Sequence, residues 1–116
     1  MGPKVQASLE SLSATDLATL RLSSQVLAHK AAMAALPRVA MFFSSVESEA
    51  VVETAARGQR GQRAEQAADP WRTAPLTPVD RAAIAAYLEL LANNDLLSPA
   101  VRDYAARLLK ARSAFG

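Results

Sequence analysis

Two tetrapeptides, Ser13-Ala14-Thr15-Asp16 and Thr77-Pro78-Val79-Asp80, constrain most of what this chain can fold into. Each places a hydroxyl where it can accept an orphan backbone N–H at a helix start. Each then places a carboxylate three residues on, able to return the bond and to face the positive helix end. The proline of the second tetrapeptide takes the first helical position, where its missing N–H is no loss. Ser98-Pro99 repeats that start. Pro37 ends or kinks the first apolar run, because it removes a donor and clashes with the preceding turn.

This punctuation predicts four helices. The first runs from Ser13 to about Leu36, and the second from Pro37 to about Arg57, where Gly58 and Gly61 stop it. The third runs from Thr77 to Asn93-Asn94-Asp95, since Asn tolerates the left-handed conformation that closes a helix. The fourth runs from Ser98 to about residue 114. Residues 58–76 hold two glycines, Pro70, Pro75 and many polar groups. They read as a linker with one helical turn near Ala64–Ala68, and with Trp71 packed on the core as a lid.

Composition agrees. Alanine, the best helix former, supplies much of the 51% hydrophobic content, whereas valine and isoleucine number only eight and one. A chain of 116 residues forms one domain that buries roughly two-thirds of its unfolded surface. The expected fold is all-α: a small bundle of four main helices in two pairs, 13–57 and 77–114, joined by the polar linker. Residues 1–10 are expected to be a flexible arm and 11–116 a single domain. Leu12-Ser13-x-x-Asp16-x-Ala18 echoes Leu76-Thr77-x-x-Asp80-x-Ala82, an echo that shared capping chemistry or a duplicated helix pair would produce.

Within these helices the inward stripes are clear for three of the four. Val39, Phe42, Phe43, Val46 and Ala50 share one face of the second; Ile84, Tyr87, Leu88 and Leu91 share one face of the third. Val101, Tyr104, Ala105 and Leu108 do so in the fourth. The first helix has two apolar faces. Leu17, Leu20, Leu27, Ala31 and Ala34 lie on one side, and Leu22, Val26, His29, Met33 and Leu36 on roughly the opposite side. A helix that is apolar on both sides is either central or meets two partners. The second alternative is preferred, because small domains seldom leave a long apolar strip wet and twofold dimers are the commonest oligomer. The expected protein interface is therefore Leu22, Val26, His29, Met33 and Leu36, with the Phe42 and Phe43 neighbourhood.

No residues form a recognisable site for catalysis, metal or cofactor. There is no cysteine. Gly-x-Ser-x-Gly, Ser-x-x-Lys and the glycine-rich phosphate loops are absent. His29, the lone histidine, lacks companions at ligand spacing; Glu49 and Glu53 fall on a solvated face, and Glu53 can pair with Arg57. The expected function is a non-catalytic protein–protein interaction or regulatory module, self-associating as a homodimer or bound to another protein. The alternative is nucleic-acid binding through Arg57, Arg60 and Arg63 in ARGQRGQR, assisted by Arg102, Arg107, Lys110 and Arg112. Three phosphate contacts would give only weak, unspecific binding, and a net charge of +2 implies no polyanionic partner. The residues preceding Glu10 have no apolar signal-like segment, and no apolar run reaches a membrane span. Arginine outnumbers lysine ten to three, as in GC-rich bacterial genes, so a bacterial cytoplasm is the expected setting.

Overall fold

A computed structural model describes residues 9–58 and 76–115, the side chains of 58 and 112–115 excepted. Residues 1–8 of the expected flexible arm and residues 59–75 of the expected linker, Trp71 included, lie outside the described residues. Within them the chain forms α1 (Ala14–Met33), α2 (Pro37–Gly58), α3 (Pro78–Ala92) and α4 (Pro99–Phe115), with no strand.

The helix starts follow their capping chemistry. Asp16 N–H donates to Ser13 Oγ at 3.0 Å, and Ser13 N–H donates back to Asp16 Oδ2 at 3.2 Å. Thr77 and Asp80 form the same reciprocal pair at 3.1 and 3.0 Å. Each box satisfies two otherwise orphaned N–H groups. Ser98 caps α4, its Oγ accepting from Val101 N–H at 3.3 Å.

The end of α1 corrects the sequence reading. The helix stops at Met33 rather than near Leu36, three residues before Pro37, which opens α2 as anticipated. Leu36 N–H bonds to Ala31 O at 2.9 Å and Ala35 N–H to Ala32 O at 3.1 Å. This is a Schellman stop, and it places Ala35 in the left-handed region with φ 61°. Leu36 leaves the helix and packs, partly buried, against the core. The end of α3 also differs from expectation. Asn93 has φ −103°, so no left-handed residue is used there. Asn94 makes the turn instead, its Oδ1 accepting from Leu96 N–H at 2.9 Å.

Three residues join α1 to α2, so the two run antiparallel. Their contact is the most extensive in the molecule. α3 packs along α4, while α2 also meets α3 and α1 meets α4, giving two helix pairs closed into one bundle. Every residue of the anticipated α2 stripe is buried, as are Ile84, Leu88 and Leu91 of α3 and Val101, Tyr104, Ala105 and Leu108 of α4. Tyr87 is half-buried. Phe42 and Phe43 meet edge to face at 5.0 Å, and Phe43 lies 5.8 Å from Tyr87, linking α2 to α3. Each phenylalanine buried in this way contributes about 1.5–3 kcal/mol.

Two tertiary polar ties cross the bundle. Ser98 Oγ–H donates to Asp16 Oδ1 at 2.7 Å, joining the start of α4 to the start of α1. Arg57 donates from Nε to Glu53 Oε2 at 3.0 Å and from Nη2 to the carbonyls of Leu9 and Glu10 at 3.0 and 3.4 Å. Leu12 is buried in the core and Leu9 packs against it, so Leu9 of the expected arm belongs to the folded domain.

Candidate functional site

On α1 the buried residues are Leu17, Leu20, Ser24, Leu27 and Ala31, a strict alternation of three and four. Adding two to each number gives Thr19, Leu22, Val26, His29 and Met33. Two residues turn a helix through about 200°, so the second set runs along the opposite side. It is mostly apolar and carries no formal charge at neutral pH. Leu22, Val26 and Met33 are 51, 56 and 76% exposed, and His29 is exposed beside them. The flanking charges are Arg21 and Lys30. Thus α1 is not the central helix of the bundle: one apolar face is inside and the other faces solvent in the single chain. Ser24 was not among the inward residues anticipated; it is fully buried and its Oγ has no hydrogen-bond partner. Ala34, expected inside, is exposed because the helix has already ended.

The proposed contact set contracts in two places. Leu36 is packed against the core, since the left-handed Ala35 turns the chain out of the helical path. Phe42 and Phe43 are 1 and 0% exposed, so these rings fill the core and offer no docking surface.

A second outward strip had no counterpart in the sequence reading. On α2, Met41, Ser44, Ser48, Val51 and Val52 are all exposed. Ser44, Glu47, Ser48, Val51 and Val52 line a shallow open groove of about 320 Å³. The helical spacing of Met41, Ser44, Ser48 and Val51, with no charge among them, was the available signal. The stronger inward stripe on the same helix masked it.

The basic residues do not gather into one patch among those described. Arg57 is committed to Glu53 and to the carbonyls of Leu9 and Glu10. Arg107 pairs with Asp103 at 2.7 Å, and Arg102 reaches Asp95 at 3.5 Å. Lys110 is exposed on α4. Arg60 and Arg63 lie outside the described residues, as does the Arg112 side chain. No group of three His, Asp or Glu among the described residues is placed to hold a metal ion.

The titration of Asp16 is displaced. The Ser98 hydroxyl holds its carboxyl below the usual carboxylate value; burial opposes this, and bonds from Ser13 assist it. No helix among the described residues is long and apolar enough to cross a membrane. Comparison of the chain with protein-family models, curated proteins and solved structures finds no match.

Proposed function

We propose that this chain is a non-catalytic helical interaction module that self-associates through the outward face of α1. The supporting observation is the uncharged row of Leu22, Val26, His29 and Met33, left open to solvent by the bundle. Burying three apolar side chains that are 51, 56 and 76% exposed is worth about 1 kcal/mol each. Two copies give about 6 kcal/mol, which is comparable with the 4–15 kcal/mol that association costs. The row thus acts as the anchor of a larger contact rather than as the whole of it.

Light scattering at increasing concentration tests this reading, with Met33→Glu as the perturbation. The wild type is expected to dimerise at high micromolar concentration. Met33→Glu is expected to be monomeric with unchanged helical circular dichroism, because Met33 is 76% exposed and a surface change there alters stability by less than about 0.5 kcal/mol. A wild type that stays monomeric throughout that range rejects the reading.

A further inference from the structure

Among the described residues, the carboxylates of Glu47 and Glu89 take part in no hydrogen bond or ion pair. Each lines an open groove. Glu47 borders the shallow groove on α2, among serines and valines. Glu89 borders a larger groove of about 670 Å³ at the C-terminal end of α3, with Ala86, Tyr87, Leu90, Asn93 and Asn94. The helical period puts these residues together. Ile84, Leu88 and Leu91 face the core, so Ala86, Tyr87, Glu89 and Leu90, which span about 160° of the helix, turn away from it. Leu90 is 63% exposed, while Tyr87 is half-buried where its ring meets Phe43. Asn93 and Asn94 follow where α3 stops. Asn94 Oδ1 accepts from Leu96 N–H and keeps a second lone pair. The Asn93 side-chain amide and the Tyr87 hydroxyl have no hydrogen-bond partner among the described residues.

We propose that the groove at the end of α3 binds a protonated primary amine carried on a short hydrocarbon body. The proposal goes beyond self-association and does not depend on it. The sign of the charge comes first. The C-terminal end of a helix is its negative end and favours a cation, yet the last turn of α3 holds no basic residue. The unpaired Glu89 adds a full negative charge at the same place. The class of cation follows from the groups present. A divalent metal ion takes several carboxylates, and no group of three His, Asp or Glu among the described residues is placed to hold one. An ammonium asks for less, with one charge and three N–H donors. Glu89 and Asn93, one helical turn apart, and Asn94 beside them supply a carboxylate and two amide oxygens. A tyrosine ring within about 6 Å attracts the same cation, and Tyr87 lines the groove. Ala86 and Leu90, also one turn apart, give the hydrocarbon body an apolar surface to cover. The groove beside Glu47 has no aromatic ring and no side-chain amide, so it lacks the rest of this set.

Hexylamine, hexanol and hexanoate share a body and differ in head group, so together they report the preferred charge. Each is titrated into the isotope-labelled full chain while the backbone amide shifts are followed by NMR. Hexylamine is expected to move the amides of residues 86–94 and to saturate with a Kd on the order of 1 mM, as suits so few atoms. Hexanol and hexanoate are expected to bind at least about fivefold more weakly. Glu89→Gln should weaken hexylamine by about fivefold, the worth of one exposed ion pair, and leave hexanol unchanged. Glu89→Lys suits the end of the helix and so should keep the fold, and it should abolish hexylamine binding. Nα-acetyl-lysine methylamide carries the same ammonium on a similar tether. If it binds as tightly as hexylamine or more so, the site takes a lysine side chain of a polypeptide; weaker binding assigns it to a free amine. No shift at residues 86–94 in about 20 mM hexylamine overturns the proposal, since a Kd near 1 mM would leave the site almost filled. Equal affinity for hexanol, or an unchanged affinity in Glu89→Gln, overturns it as well.

Discussion

Replacing Ser98 and Asp16 with alanine, singly and together, isolates the hydrogen bond that ties the start of α4 to the start of α1. The Oγ–Oδ1 distance is 2.7 Å and the acceptor is a carboxylate, so the bond is of the stronger, charge-assisted kind. Asp16 is partly exposed, however, and solvent screening reduces its worth to about 1 kcal/mol. Ser98→Ala also removes the acceptor for Val101 N–H, a cap worth about 0.5–1 kcal/mol, for a total near 1.5–2 kcal/mol. Asp16→Ala loses the same bond together with its half of the α1 capping box and its place at the positive helix end, about 2 kcal/mol in all. Independent losses would sum to about 3.5–4 kcal/mol. The shared bond can be lost only once, so the double variant should fall about 1 kcal/mol short of that sum. Urea unfolding followed by circular dichroism measures this; each single variant should also melt about 6–8 °C lower. The pH dependence has a definite sign. The Asp16 carboxyl is held below its reference value of 3.8, so its stabilisation is complete above that value and is lost as pH falls through the lower folded value. The coupling should therefore be full at neutral pH and fade in strong acid. A coupling within about 0.3 kcal/mol of zero at neutral pH would show that the hydroxyl and carboxylate are held equally well by water, and would refute the reasoning.

Ala35→Gly should raise stability by about 0.5 kcal/mol. Relief of a left-handed alanine is worth about 1 kcal/mol, and the extra freedom of unfolded glycine offsets part of it; a lower melting temperature would contradict this. Ser24→Ala should stabilise by about 0.5–1 kcal/mol, because it removes a buried hydroxyl without a partner at almost constant volume. Denaturant midpoints measure it, and a loss would mean that the hydroxyl is bonded in solution. Arg57→Ala should cost about 1 kcal/mol and free the segment that it holds. Hydrogen exchange at the Leu12 amide, which bonds to Leu9 O at 3.1 Å, should then accelerate; unchanged protection would show that apolar packing alone anchors it.

Helix starts could be read from the chain because their chemistry is local. Ser13 with Asp16 and Thr77 with Asp80 need only each other, and three residues of helix bring them together. The inward stripes of α2, α3 and α4 were equally legible, since each has one dominant apolar face and helical periodicity fixes its members. The two faces of α1 were visible for the same reason. The stop after Met33 was not, because alanine at the left-handed position carries no signature of the kind that glycine would give. Without it, Leu36 continued the wheel and was placed on the outer row, when in fact the chain turns and buries it. The α2 strip went unread because serines between a methionine and two valines make a weaker pattern than the phenylalanines behind them.

Local order, the covalent spacing of apolar groups and their helical period, was thus written along the chain. Which of the two α1 faces lies inside was decided only when α2 and α4 closed around Leu17, Leu20 and Ala31, because burial belongs to neighbours and not to a helix alone. The same holds for the tie between Ser98 and Asp16 and for the grip of Arg57 on the carbonyls of Leu9 and Glu10. Their partners stand 82, 48 and 47 positions apart, a separation that only the packed bundle brings within hydrogen-bond reach.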